Sequence, residues 1–176
     1  MSDPIFKTHD ERLQAMLGGR SGTFGFDSNN TYPGNSAYDN PWYASDTAGE
    51  RAVSVNLSDI TSASEEFGVD KDLLQGVVYL ENAHGWYDAP LGWVGANNSV
   101  RPGNVNGEIW ADLLDVDPDL VRSDSTTNIR LTAKILSEIE VRLDNPTPAA
   151  IATLYNNLAA DQLTGYGLTI EEYIEQ

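Results

Sequence analysis

The sequence predicts a mainly α domain with one long irregular insertion, which has room for a small β excursion, and an irregular amino-terminal arm. Three observations predict it. From Asn56 onward, apolar residues recur at helical spacing between start and stop signals. Residues 85–110 interrupt that pattern with Gly85, Pro90, Gly92, Gly95, Pro102, Gly103 and Gly107, and so long an unpatterned stretch inside a compact domain is often functional. Residues 1–55 are set apart by SGTFGFDSNNTYPGNSAYDNPWYASD, dense in Gly, Asn, Asp, Ser and Pro. The expected organisation is an arm over residues 1–55 and a helical domain over residues 56–176.

Taken in order, Asp10 to Leu17 reads as a short helix with Leu13, Met16 and Leu17 on one side, stopped by Gly18-Gly19. The arm that follows carries Phe24, Phe26, Tyr32, Tyr38, Trp42 and Tyr43. A free linker has no use for these aromatics, so the arm is expected to pack against the domain or extend its groove. Asp59 is a candidate cap for a helix that closes at Gly68, and Asp70 for a helix from Lys71 to about His84. A short helix is expected from Ile109 to Leu114, and VDPD at 116–119 repeats the helix-start pattern of VDKD at 69–72. Thr127 to Leu143 is the clearest helix, with Ile129, Thr132, Ile135, Leu136, Ile139 and Leu143 facing inward and Asn145-Pro146 ending it. Thr147 caps a helix with Pro148 in its first position and Ile151, Leu154, Tyr155 and Leu158 as core. Thr169 and Glu172 have capping-box spacing for a last short helix carrying Tyr173.

Composition excludes several functions. The chain has no cysteine, which removes disulfides, thiolate metal sites and cysteine nucleophiles together. Its 27 acidic and 10 basic residues leave a net charge of −17, which repels nucleic acid and anionic membrane surfaces. No run of 18 or more apolar residues occurs, so no membrane span is expected. The first residues, MSDPIFKTHDERLQAML, lack the basic start and apolar stretch of a secretory signal. No Walker A ending and no G-x-S-x-G elbow is present. His9 and His84 lack paired-ligand spacing. In DVDPD at 115–119, Leu120 replaces the glycine of a calcium loop and Thr126 its closing glutamate, so a helix start is favoured over a metal site. No metal or cofactor is expected.

What remains is Glu81. Leu74, Val77 and Val78 precede it at spacings of seven, four and three, so this carboxylate extends an apolar stripe. It is either a helix-end residue that reaches water or the next loop, or an acid with work to do. Desolvation disfavours the charged form, and a glutamic acid protonated near neutral pH can give a proton to a leaving-group oxygen. Cleavage of a sugar–sugar bond needs that step. Ser99, Asn104, Asn106, Tyr155 and Asn156 are neutral polar groups able to bind sugar hydroxyls and acetamido groups; turn formation and a half-buried helix are the alternatives for them.

From about residue 60 to 176 the chain resembles the lysozyme-like superfamily, in particular the soluble lytic transglycosylases and goose-type lysozymes. Three motifs in order carry the resemblance. GVDKDLLQGVVYLEN ends in Glu81-Asn82, where that group usually has Glu-Ser. SVRPGNVN, Ser99 to Asn106, fits the frame of Ser-x-Gly-Leu-Met-Gln-Ile-Asn without a gap. Leu154-Tyr155-Asn156 stands for Ala-Tyr-Asn. Between them TTNIRLTAKILSEI resembles an Asn-Ile-x-x-Gly-x-x-Tyr-Leu helix, and TGYGLTIEEYI a closing tyrosine region that makes Tyr166 a cleft residue. The middle motif departs most: Arg101-Pro102-Gly103-Asn104 replaces Gly-Leu-Met-Gln, so Asn104 stands in for the glutamine with a shorter reach.

The resemblance implies a lysozyme-like helical domain that cleaves the β-1,4 bond between N-acetylmuramic acid and N-acetylglucosamine, with Glu81 as general acid and then base. Ser99, Asn104, Asn106, Tyr155, Asn156 and Tyr166 would bind the glycan strand. Hydrolysis would draw a second carboxylate from Asp88, Glu108 or Asp112, whereas a transglycosylase needs only Glu81. The substrate sets the place of action in the periplasm or cell wall, reached by an export route without a visible signal. An inhibitor or a delivery protein is a further expected partner, through the arm. Two other readings stay open: a glycosidase of chitin or polycationic chitosan, and a lysozyme-like module that binds glycan or protein without cleaving.

Overall fold

In the computed structural model, the structure describes residues 2–37, 46–84 and 102–176. The fold is mainly helical, as the sequence predicts: 61% of the described residues are in helix, and the sheet among them has two strands. The chain divides into two compact units, one of them discontinuous: Met1–Asp39 with Ile135–Gln176, and Asn40–Lys134. The boundary between Lys134 and Ile135 falls inside a helix. Most of the long insertion, residues 85–101, lies outside the described residues, as do Tyr38, Trp42 and Tyr43 of the arm.

The discontinuous unit begins with α1 (His9–Leu17). Thr8 and Glu11 form a capping box, in which Glu11 accepts from the N–H groups of Lys7 and Thr8 at 3.2 and 3.3 Å and Thr8 accepts from the Glu11 N–H at 3.1 Å. The Lys7 N–H bond is the largest influence holding the Glu11 carboxyl below its usual pKa. The stretch expected to be irregular then supplies β1 (Asp27–Thr31), parallel to β2 (Gln162–Leu163), with Asp27 opposite Gln162 and Thr31 opposite Leu163. Side-chain bonds reinforce the pairing. The Tyr32 hydroxyl accepts from the Asp161 N–H at 2.8 Å, and Asn35 Oδ1 accepts from the Gly165 N–H at 2.9 Å. Phe24 is fully buried, and Phe26 packs on Ala149, Ala150 and Leu163. These contacts explain the aromatics of this stretch that the structure describes.

At the centre of this unit sits a charge. Arg12 is 0% exposed, its guanidinium 5.5 Å from the Phe24 ring centroid. Its Nη1 donates to the carbonyls of Leu158 and Ala160, both at 2.6 Å. Its Nη2 donates to Phe24 O at 2.8 Å and reaches Asp161 Oδ1 at 3.3 Å, while Nε donates to Phe24 O at 3.2 Å. Burial lowers the pKa of this guanidinium and Asp161 opposes that shift; arginine remains charged regardless. Nearby, Arg142 Nη2 donates to the carbonyls of Ala15 and Arg20, which ties the loop after α1 to the chain beyond the long helix.

Two helices complete the unit. α8 (Pro148–Asn156) has Thr147 as its cap, accepting from the Ala150 N–H at 3.1 Å, with Pro148 first in the helix as expected. α9 (Gly165–Glu175) starts earlier than the capping-box spacing suggests. Thr164 holds the N-cap, and Thr169 lies inside the helix, donating to Gly165 O at 2.8 Å. The reason is packing. A Cβ at Gly167 would sit 2.1 Å from Thr153 Oγ1 and 2.2 Å from Ala149 O, so this glycine permits close approach of α9 to α8 and does not break the helix.

The other unit opens with α2 (Asp46–Val55), a helix within the expected arm, and continues through α3 (Leu57–Phe67) and α4 (Lys71–His84). A Cβ at Gly49 would lie 2.7 Å from the Tyr79 ring, so α2 lies close against α4. Asn56, not Asp59, precedes α3, and Gly68 closes it at φ 67°. Asp59 falls in the first turn, favourable beside the helix N-terminus, and accepts from Thr126 Oγ1 at 3.1 Å. Asp70 caps as expected, accepting from the Leu73 N–H at 2.9 Å. After the insertion come α5 (Gly107–Trp110), a 3₁₀ turn (Ala111–Leu113) and α6 (Pro118–Ser123). Asp117 caps α6, so DVDPD is a helix start. The chain then enters α7 (Ser125–Glu140), which contains the unit boundary. Its Ile129, Thr132, Ile135, Leu136 and Ile139 are buried as the stripe predicts, whereas the helix ends at Glu140 and Leu143, expected in the stripe, lies beyond it and is half-buried. Among the described residues no helix is long and apolar enough to cross a membrane.

Candidate active site

Glu81 lies in the last turn of α4. Leu74, Val77 and Val78 are each 0% exposed and Glu81 is half-buried, so the apolar stripe does run into a carboxylate partly withdrawn from water. The next residue, Asn82, is 6% exposed. Its Nδ2 donates to Val78 O at 2.6 Å and to Pro102 O at 2.9 Å. The first bond stays within the helix. The second draws the far end of the insertion back to the helix turn that carries Glu81.

The returning chain is gripped on a second side. Pro102 and Gly103 form a buried turn. The Gly103 N–H donates to Asn128 Oδ1 on α7 at 2.9 Å, and Asn128 Nδ2 donates to Val121 O at 3.0 Å. Asn128 is 1% exposed and Thr132, one turn on, is 0% exposed. A Cβ at Gly103 would lie 1.9 Å from Thr132 Oγ1, so glycine is required there for contact and not for its φ. Asn104 follows at φ 52°, a left-handed conformation that asparagine tolerates better than most residues, and it is exposed. Val105 turns inward. Asn106 is exposed and caps α5, accepting from the Glu108 N–H at 3.0 Å. Buried Val105 between exposed Asn104 and Asn106 leaves two amides presented beside a fixed backbone.

The structure therefore gathers Glu81, Asn104 and Asn106 within one unit. Tyr155, Asn156 and Tyr166 belong to the other. Tyr155 is half-buried near the end of α8, Asn156 is exposed, and Tyr166 is 6% exposed, which leaves it little surface for a ligand. Ser99, Arg101 and Asp88 lie outside the described residues. Glu108 and Asp112 are exposed, and Glu108 stands 3.7 Å from Arg122, itself bonded to Asp119.

Reasoning from sequence missed the part played by Asn82, Asn128 and Thr132. A signal was present: Asn128 and Thr132 are four apart, on the otherwise apolar inward side of the helix. Buried polar side chains need partners, and here the partner is the returning loop. No protein-family model matches the chain, and no curated protein or solved structure is significantly similar to it.

Proposed function

We propose that the chain is a peptidoglycan-cleaving glycosidase, a lytic transglycosylase or muramidase, with Glu81 as general acid and base on the MurNAc–GlcNAc β-1,4 bond. One observation carries this reading: two of the three motifs, and the Asn128 helix that lies between the second and third in sequence, meet at Pro102–Gly103. The Glu81-Asn82 helix end bonds to Pro102, and the Asn128 helix bonds to Gly103. The meeting also accounts for two departures from the family pattern. Where that pattern has Met in the loop and Gly on the helix, this chain has Gly103 and Thr132, and these two positions touch. The bulk has changed sides of one contact, as expected if the motif alignment is sound.

In this reading the Glu81 carboxyl gives its proton to the glycosidic oxygen as that bond breaks. The carboxylate then takes a proton from the attacking group. If that group is the muramoyl C6 hydroxyl, the product closes to a 1,6-anhydro ring; if it is water, the product has a reducing end. Asn104 and Asn106 are suited to the neutral hydroxyl and acetamido groups of the strand, whose location sets the periplasm or cell wall as the place of action.

Incubation with purified cell wall and mass spectrometry of the products tests this. Cleavage at the muramic acid linkage is expected, with a loss of about 10²–10⁴-fold in Glu81→Gln. A Glu81→Gln variant as active as the parent removes Glu81 from the mechanism. The net charge of −17 favours polycationic chitosan as a second substrate, and side-by-side digestion of the two polymers discriminates between them.

A further inference from the structure

We infer that Asn82 is a positioning residue, which with Asn128 clamps the Pro102–Gly103 turn and so fixes Asn104 and the loop beside the acid-bearing end of α4. The inference rests on the glycosidase reading and adds to it two residues that touch no substrate.

The geometry has three parts. Asn82 spends both hydrogens of its amide on carbonyls, one of its own helix and one of the loop, at 2.6 and 2.9 Å. Asn128 accepts from the Gly103 N–H and donates to Val121 O, so its side chain is also used at both ends. Thr132 presses on Gly103 from a third direction. A turn held at consecutive residues by side chains from two helices cannot slide without breaking a buried hydrogen bond, and each such loss costs about 1–3 kcal/mol. The residue next to the clamp, Asn104, is the exposed one in a left-handed conformation. Its amide is thus carried on backbone that cannot drift relative to Glu81, whose neighbour is one jaw of the clamp. Displacement of about 1 Å at a reacting centre can lower a rate by about 10²-fold, which is why a residue out of contact with substrate would govern turnover.

The test uses the full chain with Asn82→Ala, Asn82→Asp and Asn128→Ala. Two quantities are read: cell-wall turnover per folded molecule, and hydrogen-exchange protection of the Gly103 amide. Asn82→Ala is expected to lower kcat about 10- to 100-fold, and both alanine variants to lose Gly103 protection. Asn82→Asp offers the sharper signature. A buried carboxylate facing two carbonyls repels them, whereas its protonated form donates again. Its kcat per folded molecule, relative to the parent, therefore rises as pH falls, a trend that Asn82→Ala does not share. Unchanged kcat in folded Asn82→Ala with Gly103 still protected overturns the clamp. If the unmodified protein leaves cell wall intact, the glycosidase reading fails, and Gly103 protection alone decides the clamp. Should the aspartate variant not fold, the two alanine variants decide the matter.

Discussion

Each compact unit is organised around a buried polar node, and the two nodes are built differently. In the discontinuous unit a fully buried Arg12 gathers the carbonyls of Phe24, Leu158 and Ala160 together with Asp161. In the other, two neutral amides, Asn82 and Asn128, hold one turn of loop. A buried cation is costly to desolvate and strongly destabilising to leave unpaired, so it suits a junction that must never open. Neutral amides cost less to bury and hold a particular backbone geometry, which suits a loop whose position matters more than its strength. The contrast teaches that the amino-terminal segment is structural, because its residues supply both the cation and two of its acceptors, the carbonyls of Phe6 and Phe24.

Removal of the cation should have the largest effect. Arg12→Leu leaves at least three carbonyls without a donor, at about 1–3 kcal/mol each, and is expected to cost about 3 kcal/mol or more, read by urea unfolding. Arg12→Lys should recover little, since one ammonium cannot reproduce the guanidinium fork. A truncation starting near Asp59 removes Arg12, Phe24 and β1 together and is expected to abolish cooperative unfolding of the segment 135–176. A cooperative transition there would show that the charged node is dispensable.

The amide node is expected to respond less, and in a way one compensating change repairs. Gly103→Ala drives a methyl into Thr132 and should cost about 1–3 kcal/mol. Adding Thr132→Gly should return most of it, because the two positions share one contact. Additive losses in the double variant would mean that Gly103 is needed for some other reason.

The smallest effect belongs to the surface of the discontinuous unit. Glu11 is held below its usual pKa, first by the Lys7 N–H and then by Thr8. Its folded pKa is depressed, so its contribution is complete above the unfolded value of about 4.3 and fades as pH falls through the folded value. The Tm advantage of the parent over Glu11→Gln should hold at neutral pH and vanish in acid. The comparison is best made at about 1 M salt, where repulsion among the many carboxylates is screened. An advantage that persists in acid would rule out the capping box as its source.

Much of the fold was legible because its signals act within one turn. Asp70, Asp117 and Thr147 cap where the sequence places them, Pro148 opens its helix, and Gly68 closes α3 in the left-handed region. The stripe through Leu74, Val77 and Val78 led to a half-buried Glu81 for the same reason: helical periodicity is local. The start of α9 was read too late because Gly165 and Gly167 are breakers by propensity, and only the neighbouring α8 makes Gly167 a point of contact.

By itself, then, the sequence determined a helical protein, several of its helix ends and one acid on an apolar stripe. Only the tertiary structure decided the parallel pairing of Asp27–Thr31 with Gln162–Leu163, the burial of Arg12 and the grip of Asn128 on Gly103. Each depends on a partner remote in the chain. An arginine on a short helix reads as solvent-facing until carbonyls from residues 158 and 160 reach it, and an asparagine on α7 has no visible task until a loop returns to donate to it. Local chemistry fixes where most of these helices begin; which polar groups can be buried is fixed only when their distant partners arrive.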